Sequence, residues 1–153
     1  MNRIVIFLIS LMITLACGSI LHGNNRLADG PVRFNVVLSG AHSSVENGKV
    51  SLIKDESDWR QIWILARGNE DPLPDMPEID FRSEYVIAAF MGQRSSAGYK
   101  IEITDIEKKG KILKVNISNY ETPGMLPVVT RPYTLVRIPK GDYRLEVKTK
   151  SIQ

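Results

Sequence analysis

Tyr85-Val86-Ile87-Ala88-Ala89-Phe90-Met91 decides the architecture. No charged side chain interrupts this run. A strand with one wet face would alternate apolar and polar residues, so the stretch predicts a central strand covered on both faces. After it, Gly92 to Gly98 form a tight polar loop. Tyr99, Ile101 and Ile103 then alternate with Lys100, Glu102 and Thr104, the period of a half-buried strand. Lys108-Lys109-Gly110-Lys111 turns the chain back, and Leu113, Val115 and Ile117 alternate with Lys114, Asn116 and Ser118. The result is a hairpin with one dry and one wet face.

The same reading extends outward in both directions. Upstream, Phe34 to Leu38 forms a strand closed by Ser39-Gly40, and Lys49 to Lys54 forms a shorter one. The period then switches. Asp55 or Ser57 caps a helix in which Trp59, Ile62, Trp63 and Ala66 fall at i, i+3, i+4 and i+7, and Gly68 stops it. Both tryptophans share one stripe, the spacing of a core face rather than of a ligand platform. Asn69 to Glu78, with its prolines and acids, reads as an extended surface loop without the spacing of a calcium loop. Downstream, Pro123, Gly124 and Pro127 mark a loop, Thr134 to Ile138 a strand, and Pro139-Lys140-Gly141-Asp142 a turn. Tyr143, Leu145 and Val147 give the last alternation. About seven strands and one helix describe an α+β fold: a mostly antiparallel sheet or open barrel with the helix packed on it.

With 153 residues, 43% of them hydrophobic and 24% charged, the chain fits one globular domain. That domain is placed at 32–153. Ahead of it, Arg3 precedes the almost unbroken apolar run Ile4 to Leu15, twelve residues long and interrupted only by Ser10 and Thr14. As a helix this run spans only about 18 Å, against roughly 30 Å of bilayer hydrocarbon, so it reads as a signal-peptide core. The alternatives are an uncleaved anchor that continues through Ile20 and Leu21, or ordinary cleavage with an incidental cysteine. Leu15-Ala16-Cys17-Gly18 follows and resembles a bacterial lipobox, with Thr14 in the place where leucine is usual. Residues 1–17 are therefore expected to be a lipoprotein-type signal with Cys17 as the lipid-bearing residue, and 18–31 a polar tether that carries His22. The protein is expected to be exported and held at a membrane of the cell envelope by its lipid anchor.

Cys17 is the single cysteine, so no disulfide framework is available. His42 is the one histidine of the folded region. It sits beside Ser43-Ser44 without the glycine elbow of a serine nucleophile, and phosphate-binding loops and paired metal-ligand histidines are missing too. We expect no enzyme activity, no cofactor and no metal. From Gly18 to Phe81 there are 6 basic residues against 10 acidic ones, and from Arg82 to Gln153 there are 13 against 7. The basic half alternates its lysines along strands, as a wet sheet face does, so a nucleic-acid partner is not expected.

Two stretches carry a resemblance. Phe90-Met91-Gly92-Gln93-Arg94-Ser95-Ser96-Ala97-Gly98-Tyr99-Lys100-Ile101-Glu102-Ile103, with Arg131-Pro132-Tyr133-Thr134-Leu135-Val136-Arg137-Ile138-Pro139-Lys140, resembles the PrcB C-terminal-like domain of bacterial exported proteins. There an apolar strand enters a Gly-x-Arg-Pro-Thr-Gly-Gly-Tyr loop, and a Pro-Tyr strand ending in Ile-Pro-Lys comes later. Gly92, Arg94, Gly98 and Tyr99 fit that loop, while Ser95, Ser96 and Ala97 replace its Pro, Thr and Gly. Trp59, Ile62 and Trp63 fit the family's Trp-x-x-Leu-Trp pattern, with isoleucine for leucine. The family's namesake is a surface lipoprotein that stabilises a secreted subtilisin-like protease complex. The resemblance thus implies a non-catalytic binding module for a protein partner such as a secreted protease, with the chain monomeric in isolation. The expected contact residues are Gln93, Arg94, Ser95, Ser96, Gly98, Tyr99, Arg131, Pro132 and Tyr133. As an alternative, the Gly98-Tyr99 and Arg131-Pro132-Tyr133 pieces are loosely similar to loops of chagasin-type cysteine-protease inhibitors. That family's Asn-Pro start and middle glycine-rich loop are missing here.

Overall fold

The computed structural model describes residues 28–153; the signal segment, Cys17 and His22 lie outside the described residues. Its elements run β1 (Gly30–Pro31), β2 (Asn35–Gly40), β3 (Asn47–Ile53), α1 (Glu56–Arg67), β4 (Glu84–Gly92), β5 (Tyr99–Lys109), β6 (Ile112–Glu121), β7 (Tyr133–Pro139) and β8 (Arg144–Ile152). Two four-stranded sheets stack face to face, ordered β1-β5-β6-β8 and β2-β7-β4-β3. The helix lies on the outer face of the second sheet.

β4 occupies an inner position of its sheet, and its alternate residues serve two cores. Ile87, Ala89 and Met91 meet Ile101, Ile103, Ile106, Leu113, Val115 and Ile117 between the sheets. Val86, Ala88 and Phe90, with Leu135 and Tyr133 of β7, meet Trp59, Ile62, Trp63 and Ala66 of α1. Burial on both faces is the physical reason for a run without polar residues. The first sheet has its core on one side only, which is why its strands alternate.

The helix begins where expected. Asp55 is the cap, and its carboxylate accepts from the Asp58 N–H at 2.9 Å; Gly68 follows the last turn and donates to the Ile64 carbonyl. The indole rings of Trp59 and Trp63 lie 5.8 Å apart, tilted by 56°. Each indole N–H is satisfied by the loop that crosses over it. Trp59 donates to the Pro77 carbonyl and Trp63 to the Pro74 carbonyl, both at 3.0 Å. Prolines suit this strap, since a segment without ladder partners loses little by lacking N–H groups.

Three features differ from the sequence reading. There are eight strands and not about seven, because Gly30–Pro31, at the end of the segment read as tether, pairs with β5. Asp29 fastens this entry, accepting from Lys108 Nζ at 2.8 Å and from the Gly110 N–H at 2.9 Å. The open-barrel option gives way to two separate stacked sheets. Finally, β8 joins β6 in parallel and not antiparallel. After β7 the chain crosses from one sheet to the other, with Tyr143 buried at the crossing, and it starts β8 beside Lys111. Alternation looks the same in either direction, so the pairing sense was not readable from β8 itself.

Candidate functional site

The loop from Gln93 to Gly98 leaves the buried end of β4 and returns into β5. Two glycines frame it. Gly92 has φ +81°, and a Cβ there would lie 2.7 Å from the Gly48 nitrogen and 2.8 Å from the Glu46 carbonyl oxygen. Gly98 has φ +93°, and a Cβ there would collide with the Thr122 carbonyl oxygen. Both positions need the left-handed conformation and the missing side chain together.

A second segment, the β6–β7 connection, runs alongside this loop and is bonded to it. The Arg94 N–H donates to the Thr130 carbonyl at 2.8 Å, and the Thr130 N–H returns a bond to Arg94 at 3.0 Å. The Thr130 hydroxyl donates to the Ser96 carbonyl at 3.0 Å. Farther out, the Ala97 N–H donates to Leu126 at 3.2 Å and the Gly124 N–H to Ala97 at 2.6 Å. These bonds make one surface from two loops that are remote in sequence.

Arg131 is held from several sides. Its backbone bonds Ala41 and Ser43, and the buried Ser43 hydroxyl donates to the Arg131 carbonyl at 3.0 Å. Its guanidinium donates to Gln93 Oε1 at 2.7 Å and lies 3.7 Å from the Glu46 carboxylate. Arg94 is placed differently. It donates to the Gln93 carbonyl at 2.8 Å and lies 5.8 Å from the centre of the Tyr99 ring. No ion pair links Arg94 to a carboxylate of the described residues, so its charge is met only by a neutral carbonyl and an aromatic ring.

The structure therefore brings Gln93, Arg94, Ser95, Ser96, Gly98, Tyr99 and Arg131 together at one surface. Gln93, Ser95 and Gly98 are exposed, while Arg94, Ser96, Tyr99 and Arg131 are half-buried. Pro132 and Tyr133 lie beneath it and not on it. Tyr133 is 3% exposed, stacks on Phe90 at 6.0 Å, and its phenol pKa is raised by burial against the opposing influence of Arg67. These two residues form the floor that holds Arg131 in place. His42 is exposed and forms only a backbone bridge to Arg131, while the Ser43 hydroxyl is occupied in the same scaffold.

Sequence reasoning passed over the most exposed part of the site. Met125 is fully exposed, and Leu126, Val129 and Val128 are 68%, 51% and 41% exposed. Gly124-Met125-Leu126-Pro127-Val128-Val129 reads only as a loop, since Pro123, Gly124 and Pro127 interrupt any period. The signal it did carry is composition: four large aliphatic side chains where a solvated loop needs none.

Residues 85–139 match the PrcB C-terminal family. That match supports the PrcB C-terminal-like family for this part of the chain. The match takes in β4, the loop, the hairpin, the apolar connection and β7, and so the whole of this surface; α1 with Trp59 and Trp63 lies outside it. No curated protein and no solved structure matches the chain.

Proposed function

We propose that this PrcB-like domain is the non-catalytic binding module of an exported, lipid-anchored protein, and that it holds and stabilises an extracytoplasmic protein such as a secreted protease. One observation carries this reading: the exposed ribbon Met125 to Val129 is hydrogen-bonded beside Arg94, Tyr99 and Arg131. Protein interfaces combine an apolar centre with a polar rim, and arginine and tyrosine are enriched where binding energy concentrates. A guanidinium without a carboxylate of its own is suited to meet one on a partner. The inhibitor alternative gains nothing from Tyr133, whose ring belongs to the core.

The test places a photoreactive residue at Met125 of the full-length protein in the producing cell. The expected result is one dominant adduct with an extracytoplasmic protein, lost or reduced at least tenfold in Arg94→Glu and in Leu126→Asp. An adduct that both variants retain at the parental level removes this surface from the function. Anchoring through Cys17 is tested separately: Cys17→Ser is expected to abolish incorporation of a labelled fatty acid and to release the protein from membranes or block its processing.

A further inference from the structure

The two sheets do not close along one side. β3 is an edge of the second sheet and β8 an edge of the first, and between them opens a cleft of about 370 Å³. Gly48 to Val50, Phe90 and Met91 line it from one sheet; Ile101, Ile117, Asn119, Val147 and Thr149 line it from the other. Val147 is 40% exposed there although it alternates toward the core side, and the buried side-chain oxygen of Asn119 accepts no hydrogen bond among the described residues. β8 spans nine residues and has β6 as its one neighbour, so its far edge offers the free N–H and C=O groups of alternate residues.

We propose that this cleft and the β8 edge take up an extended acidic strand from a partner protein, one that alternates carboxylates with apolar residues. The chemistry of the edge selects that occupant. β8 carries Arg144, Lys148 and Lys150 against Glu146, and Lys49 stands on the facing edge. In register, Glu146 lies beside Lys114 of β6, whereas Lys148 and Lys150 lie beside the uncharged Asn116 and Ser118. The acids one strand further in those rows, Asp105 and Glu102, are engaged with Asn116 and Lys100. A strand added to β8 sets its outer side chains beside Lys148 and Lys150, where opposite charges stabilise, and turns its inner side chains toward Val147 and the cleft.

The same charges argue against the other occupants. Two β8 edges brought together would set three cations against three with only one acid on each strand. The chain's own first 28 residues contain no Asp or Glu, and they join the fold at β1, the opposite edge of the β8 sheet. Lysines on an edge commonly prevent self-association; here they leave the edge open to an acidic strand alone. This surface uses none of the residues of the Arg94 site and does not rest on its function.

The test uses the full-length protein and two synthetic nonapeptides, one alternating Glu and Val and one alternating Lys and Val. Fluorescence anisotropy is expected to show binding of the Glu-Val peptide, at least tenfold tighter than the Lys-Val peptide. Lys148→Glu/Lys150→Glu is expected to weaken it at least tenfold, and Arg94→Glu to leave it unchanged. Hydrogen exchange is expected to slow at the amides of β8. Four results overturn the proposal: no binding of the Glu-Val peptide, equal binding of both peptides, retention by the double variant, or protection at Gln93 to Tyr99 in place of β8. A dimer in sedimentation that buries β8 and excludes the peptide also overturns it in favour of a second copy.

Discussion

The two sheets contain the same number of strands and obey different rules. The β2-β7-β4-β3 sheet is covered twice, by the other sheet and by α1, and β4 and β7 are buried along almost their whole length. The β1-β5-β6-β8 sheet is covered once. Its far face carries Lys100, Glu102, Lys114 and Tyr120, held by surface contacts such as Lys100 with Glu102 and Lys100 over the Tyr120 ring. Coverage and not strand propensity thus sets how a strand of this protein reads, and it also sets what a substitution costs. The largest expected effect lies on the covered side. Trp59→Ala removes a fully buried ring and should cost on the order of 3–5 kcal/mol. Tyr120→Ala on the wet face should cost about 1 kcal/mol or less. Urea unfolding of both variants checks the contrast, and equal losses would erase the distinction between the sheets.

A second contrast sets the candidate site against the hairpin turn. Gly98 and Gly110 both have positive φ, yet only Gly98 is hemmed in, by the Thr122 carbonyl and by Gly124; a Cβ at Gly110 meets nothing within 4 Å. Gly98→Ala therefore adds a steric clash to backbone strain of about 1–3 kcal/mol, and should also loosen the bonds joining the loop to the apolar ribbon. Gly110→Ala carries the strain alone, at φ +60°, where an alanine is least penalised. Differential stability by denaturant, with hydrogen exchange at Ala97 and Gly124 as the local readout, separates them. Equal losses with unchanged exchange at Gly124 would mean that Gly98 is only a turn residue.

The contrast between the sheets also explains what was legible. β4, the hairpin, and the helix with its Trp59/Trp63 stripe were readable because burial imposes a period or abolishes one. The bulge at Thr104 shows how far this goes. One extra residue enters β5 between Ile103 and Asp105, and Ile106 still arrives on the core side opposite Val115. What escaped the reading lacks a period or shares one with its alternatives. β1 is too short to have one, β8 alternates alike in parallel or antiparallel pairing, and Met125 to Val129 are exposed apolar residues in no repeating frame. At the site, the resemblance grouped Arg94, Tyr99 and Arg131, and in the structure their two loops are joined by the Arg94–Thr130 backbone bonds. The sequence could not separate the surface residues from Pro132 and Tyr133, because a Pro-Tyr pair at a strand start reads the same facing in or out.

Titration gives a third test, smaller in effect. Tyr133 lies in the core under the helix and Tyr143 in the core between the sheets, and burial raises both phenols. A raised folded value means that the neutral form is favoured on folding. The stability this provides is present in full below the unfolded value of about 10 and is lost as pH rises past it toward the folded one. Tyr133→Phe should flatten part of the alkaline decline in thermal midpoint above pH 10, and Tyr143→Phe another part. If neither variant changes that decline, these phenols are already ionised or hydrated in the folded protein.

The smallest effect belongs to the turn that launches β4. Asp80 is held down to about 2 from 3.8, first by the Arg82 side chain at 2.8 Å, then by the Arg82 N–H at 3.1 Å and the Ser83 hydroxyl at 3.0 Å. Its own carbonyl accepts from the Ser83 and Glu84 N–H groups, so the residue organises the entry to the doubly covered strand. A lowered folded value stabilises the charged form. Its contribution is therefore present above about pH 4 and disappears as pH falls through about 2. Because the carboxylate is open to solvent, that contribution is small and sensitive to salt. Asp80→Asn keeps the shape of the turn and removes the charge. The thermal midpoints of parent and variant should differ slightly at pH 5 and converge as pH falls toward 2, with the gap at pH 5 narrowing in high salt. A gap that stays constant across this range would assign the role of Asp80 to its backbone bonds alone.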